Sequence, residues 1–170
     1  AYFFGASASA DAFFLAFKIP NFFRRLFAEG AFSQAFVPVL SEYKTRQDTS
    51  ALKDLIDHLA GALGLVLTIF VLLGVVFSGA VITLFAFGYV VREDNAQLAL
   101  AGALLQITFP YLGLISLTAF AGSILNTFGR FAVPSFTPVL LNVSLIASAV
   151  WLRPYFDLPV YALAWGVFIA

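Results

Sequence analysis

Asp11, Lys18, Arg24, Arg25 and Glu29 stand in a stretch, DAFFLAFKIPNFFRRLFAEG, that is otherwise apolar enough to enter a membrane. A charge at the centre of a bilayer costs about 2.5–3.5 kcal/mol on insertion scales, so each of these needs polar surroundings. At about 100° per residue, Lys18 lies about −20° from Asp11, Arg25 about −40° and Glu29 about 0°. Four charges therefore share one helical stripe, and Arg24 points away from it. Such a stripe suits the wall of a polar cavity that neutralises an anionic cargo as it crosses. Pro20 bends the wall, because proline removes a backbone hydrogen bond and clashes with the preceding turn. The bend can rotate everything beyond it.

A structural reading covers the same residues. Asp11 falls in a first turn, where the helix dipole favours a carboxylate. Arg24, Arg25 and Glu29 can reach the headgroups on long stems. Lys18, nearly mid-span, and the coincidence of the stripe favour the cavity wall. No other constellation competes with it. His58 is the only histidine and there is no cysteine, so neither a metal site nor a nucleophile has partners there. Asn126 and Asn142 read as a helix cap and an interhelical hydrogen-bonder. Thr108 and Gln106, beside Pro110, can satisfy the carbonyl that proline leaves free. No phosphate loop, HExxH or dinucleotide fingerprint is present, and no catalytic residue, metal or cofactor is expected.

The elements that must position these residues follow from composition. The chain is 62% hydrophobic and 11% charged, with mean hydropathy +0.98. Soluble domains run at about 45–50% apolar and about 25% charged. The fold class is an all-α polytopic membrane protein. Nine basic and nine acidic residues cancel, so no net field recruits nucleic acid. The chain opens inside one apolar run, AYFFGASASA, and stops inside another, YALAWGVFIA, which reads as a piece of a longer protein. The 21 Phe are lipid-facing and packing bulk. Spans are expected at about 10–28, 59–79, 96–125 and 135–152, with a truncated one at 160–170, each near the ~20 residues a bilayer needs. An amphipathic segment is expected at 31–44, where Phe32, Ala35, Phe36, Val39, Leu40 and Tyr43 recur at helical spacing. Residues 44–58 form a polar loop, Gly88 and Tyr89 an interfacial extension, and Pro134 and Pro138 the first turns of a span. Lys44, Arg46, Lys53 and Arg130, with Arg24 and Arg25, fall on one side, against Arg92 and Arg153 on the other. Basic-residue asymmetry therefore places the 44–58 loop in the cytoplasm.

The block ADAFFLAFKIPNFFRRLFAEGAFSQAFVPVLSEYK resembles the signature of the MurJ/MviN family of bacterial flippases for lipid II, the peptidoglycan precursor. The later ITFPYLGLISLTAFAGSILNTFGRFAVPSFTPVLLN resembles the same family in the right order and spacing. The resemblance implies a fragment, from the end of helix 1 to the start of helix 6, of a fourteen-helix, two-lobe exporter fold. It implies a transporter and not an enzyme, moving the anionic headgroup of lipid II across the bacterial cytoplasmic membrane by alternating access. The partners it implies are lipid II and the bilayer, with cell-wall synthesis proteins as further candidates. It places the family's helix-2 arginine contact at Arg24, its helix-2 aspartate at Asp11, and Glu29 near the cytoplasmic gate. The wheel instead favours Arg25; a proline kink can exchange the two, so Arg24 ranks first and Arg25 second, with Lys18 as a further cavity candidate. The alternatives are an exporter of another lipid-linked oligosaccharide, a drug/cation antiporter, or, behind these, an intramembrane enzyme acting on lipid II. A drug antiporter should carry acidic cavity residues, whereas this helix leans basic.

Overall fold

The computed structural model describes residues 8–25, 38–42, 49–86 and 94–170. Among them every regular element is helical: α1 (Ala8–Arg24), α2 (Thr49–Val76), α3 (Ser78–Phe85), α4 (Asn95–Thr127), α5 (Ala132–Ala147) and α6 (Val160–Ile169). A π-helical turn, Ser148–Leu152, and a 3-10 turn, Arg153–Tyr155, prolong α5. Three stretches, Ser50–Val76, Asn95–Thr127 and Ala132–Tyr155, are long and apolar enough to cross a membrane. The protein is a multi-pass membrane protein.

The molecule is built on α4. Its 33 residues span roughly 50 Å at 1.5 Å per residue, and α1, α2, α3, α5 and α6 all pack on it. In its most apolar stretch 44% is buried, against 11% for α2 and 6% for the Ala132–Tyr155 rod, so α4 is the core and the others are its shell. In lipid, helices gain little from apolar burial itself and associate through close packing and interhelical hydrogen bonds. Both are present. Phe23 meets Phe70 at 5.2 Å between ring centroids, and Phe70 meets Phe109 at 5.9 Å, which ties α1 to α4 through α2. A Cβ on Gly74 would fall inside the ring of Phe109, so only glycine lets α2 come this close. Between α5 and α6, the Ser144 hydroxyl donates to the Gly166 carbonyl at 2.7 Å. Gly129, at φ 76°, makes the turn from α4 into α5 in a conformation that side-chain-bearing residues avoid.

Several boundaries differ from the sequence reading. α2 begins at Thr49, inside the stretch read as a loop. Leu52, Ile56, Leu59 and Leu63 carry an apolar stripe down from the span, and it packs on Leu40 and Phe120. Lys53, Asp54, Asp57 and His58 occupy the exposed side of those turns. The uncharged run after Leu59 breaks at Phe77 and not beyond residue 79, although bonds from Phe77 N to Leu73 O and from Val81 N to Phe77 O, both 2.9 Å, keep the rod nearly continuous. α5 starts at Ala132, which leaves Pro138 inside the helix. The Asn142 amide donates to the Pro138 carbonyl at 3.0 Å, within its own helix and not across to a neighbour, and not to the Pro134 carbonyl that Pro138 frees. Near Pro110, the Thr108 hydroxyl bonds the Leu104 carbonyl at 3.1 Å, and not the carbonyl that the proline frees. Most of the expected amphipathic segment at 31–44, and the expected extension at Gly88 and Tyr89, lie outside the described residues; residues 38–42 are helical, with Leu40 buried.

Candidate functional site

Three helical stripes enclose a cleft of about 640 Å³. α1 contributes Phe17, Asn21 and Arg24, spaced by four and three residues and therefore on one face. α4 contributes Tyr111, Ile115, Thr118, Ala119, Gly122, Ser123 and Asn126, again one face at helical spacing. α5 closes it with Pro134, Thr137, Pro138 and Leu141. Gly122 sets the approach of the last two walls, since a Cβ there would lie 3.2 Å from Pro134. The volume is in the range of small-molecule sites, about 300–1,000 Å³.

Arg24 is the one charged side chain among the described residues that line this cleft. It is half-buried, and its Nε–H donates to Asn21 Oδ1 at 2.9 Å. That bond ties the guanidinium to the preceding turn of α1. Phe17 packs on Tyr111 at 6.3 Å between centroids and closes one side; Tyr111 is buried as a whole, with Arg24 in electrostatic reach of its phenol. A guanidinium flanked by amides and hydroxyls, between apolar walls, is equipped to hold an anion that also carries hydrogen-bonding groups. Among the described residues that line the cleft, none is a carboxylate.

The other residues singled out in the sequence go elsewhere. Asp11, Lys18 and Arg25 are all exposed, on the side of α1 opposite Ala12, Ala16 and Ile19, and share it with the exposed Phe14 and Phe22. They form the stripe expected from the wheel, but it does not line the cleft. Glu29 lies outside the described residues. His58 is exposed, and its Nδ1 donates to the Asp54 carbonyl at 2.7 Å, one turn back on its own helix. Asn126, read as a cap, is part of α4 and lines the cleft. Tyr111, Thr137 and Asn21 were not singled out. The spacing Phe17–Asn21–Arg24 was a usable signal for one wall; the pairing of that wall with α4 and α5 was not.

A model of the family described as "Lipid II flippase MurJ" matches residues 1–170. The chain belongs to the MurJ family. Curated relatives agree: it is 54% identical over 170 residues to a probable lipid II flippase MurJ of Vibrio cholerae, covering 97% of this chain and 32% of the relative. To the lipid II flippase MurJ of Burkholderia cenocepacia it is 47% identical over 166 residues, covering 98% and 32%. A solved structure of the family, named "Lipid II flippase MurJ, inward closed conformation", superposes with a TM-score of 0.78 at 31% identity, covering 98% of this chain and 35% of that one. The chain thus spans about a third of the length of the MurJ proteins it matches.

Proposed function

We propose that this chain is the N-terminal part of a lipid II flippase, which carries the anionic headgroup from the cytoplasmic to the outer leaflet by alternating access. The observation that supports it is Arg24, half-buried in a polar cleft of a chain that matches the flippase family along its whole length. The cleft lies at the C-terminal ends of α1 and α4 and the N-terminal end of α5. Basic-residue asymmetry assigns that end, with Lys53 and Arg130, to the cytoplasm of a bacterial inner membrane. The guanidinium then sits on the loading side, where it can bind diphosphate oxygens bidentately without losing its charge. Asp11, Lys18 and Arg25 belong to a separate stripe, which we assign to the later path of the headgroup, and Glu29 to the cytoplasmic gate. Lipid II is the cargo, and cell-wall synthesis proteins are candidate partners. A cationic cargo, as in a drug antiporter, fits less well because the described lining of the cleft carries a guanidinium and no carboxylate.

The full-length protein that contains this chain is expected to rescue growth of a flippase-depleted strain and to restore lipid II accessibility at the outer leaflet. Its Arg24→Ala variant is expected to insert normally and rescue neither. Normal growth of a strain that depends on Arg24→Ala would refute the assignment.

A further inference from the structure

Threonine hydroxyls in the described helices follow a consistent habit. Those of Thr68, Thr83, Thr108, Thr118 and Thr127 each donate to the backbone carbonyl four residues earlier. A helix in lipid has no water to serve such groups, so the local carbonyl is the default partner. Thr137 breaks the habit: its hydroxyl makes no hydrogen bond in the described structure, and it lines the cleft opposite Arg24. The two span asparagines differ in the same way. Asn142 spends its amide on Pro138, whereas the Asn126 amide has no side-chain partner and lines the cleft. Tyr111 is a third case, a buried ring whose phenol bonds nothing in the described structure. These three groups come from two helices and converge on one volume, which also holds the guanidinium. Neutral hydrogen-bonding groups left available together in a cleft whose other hydroxyls, Thr118 and Ser123, are satisfied by their own helix are the mark of a ligand surface.

We propose that Tyr111, Asn126 and Thr137 form a neutral specificity wall that reads the amide- and hydroxyl-bearing sugar next to the diphosphate held by Arg24. The assignment rests on the flippase reading of the cleft and divides its labour. Arg24 recognises charge, which any polyprenyl diphosphate supplies, and the α4–α5 wall recognises what is attached to it. A site that hydrogen-bonds a ligand discriminates against an analogue lacking those groups, because its own polar atoms are then left unpaired.

The test is equilibrium binding to the full-length protein in detergent micelles, read by native mass spectrometry with two probes, lipid II and undecaprenyl diphosphate. Tyr111→Phe, Asn126→Leu and Thr137→Val are each expected to weaken lipid II binding by roughly 3- to 10-fold, the value of one neutral hydrogen bond. They should leave undecaprenyl diphosphate binding unchanged, and Arg24→Ala should weaken both. Tyr111→Phe and Thr137→Val keep the side-chain shape, so a folding defect in Asn126→Leu would leave two readouts intact. Unchanged lipid II binding in those two, or equal losses for both probes, would overturn the specificity wall while sparing Arg24. Wild-type binding of both probes by Arg24→Ala would instead overturn the flippase reading of the cleft and this proposal with it.

Discussion

Arg24 is tied by its Nε–H to Asn21, one turn earlier on α1, and this bond explains why lysine should not replace it. An ammonium is a point charge on a flexible stem; it cannot keep the Asn21 contact and also offer a planar pair of donors to an anion. Arg24→Lys is therefore expected to weaken lipid II binding by roughly 10- to 100-fold, since one charge-assisted hydrogen bond is worth about 1.5–3 kcal/mol. A purified Arg24→Lys protein with wild-type affinity would show that charge alone suffices. The same residue shows how far sequence reasoning reaches at this scale. A wheel drawn through the charges favours Arg25, because it rewards charges for lying with other charges. The structure places Arg25 on the exposed stripe and Arg24 in the cleft. Asn21 and Phe17, uncharged neighbours on Arg24's face, were visible in the sequence and carried the better signal. Tyr111, Asn126 and Thr137 were not legible as partners, since only the packing of three helices joins residues so far apart in the chain.

Helices were legible from the same apolar pattern that marks the membrane, and their ends were less so, because composition and periodicity compete there. Polar residues made 44–58 look like a loop, yet Leu52, Ile56 and Leu59 keep a stripe that buries on Leu40 and Phe120, and tertiary packing lets α2 begin at Thr49. At α5 the prolines suggest a start near residue 135, while the helix begins at Ala132 and takes Pro138 into its interior. Close approach is a further property that a pattern cannot show. Gly74 reads as a weak point in an apolar helix, yet a Cβ there would collide with Phe109, which links to Phe70 and on to Phe23 just before Arg24. Gly74→Ala should gain about 1 kcal/mol of helix propensity, and an overpacking cost of about 1–3 kcal/mol should outweigh it, for a net loss of up to about 2 kcal/mol. Chemical unfolding of the purified protein checks the sign. Adding Phe109→Leu should recover part of the loss, with a coupling above about 0.5 kcal/mol. Strictly additive effects would mean that the two positions do not press on each other.

At the scale of the whole molecule, α4 is enclosed by its neighbours, while α2 and α5 turn most of their surface outward. For Leu65, Val66, Leu72, Val139 and Val143 that outward surface suits lipid. For Lys18 it does not, on the reading of residues 10–28 as a span, because there a charge near mid-span costs about 2.5–3.5 kcal/mol against lipid. The exposed face of α1 must therefore meet water or protein, and MurJ relatives about three times as long have chain enough to build such surroundings. The direction of the bundle then decides what the cleft can do. On the flippase proposal, the ends of α1 and α4 that carry Arg24 and Asn126 load an anionic headgroup if they face the cytoplasm and release it if they face outward. Lys53 near the start of α2 and Asp157 between α5 and α6 are both exposed and mark opposite ends of the bundle. The residues described contain no cysteine that would confuse a label. In a full-length cysteine-free background, Asp157→Cys is expected to react with a membrane-impermeant maleimide in intact cells whose outer membrane has been opened. Lys53→Cys should react only after the inner membrane is permeabilised. The reverse pattern would place Arg24 on the outer side and turn its cleft from a loading site into a release site, with the positive-inside argument wrong for this lobe.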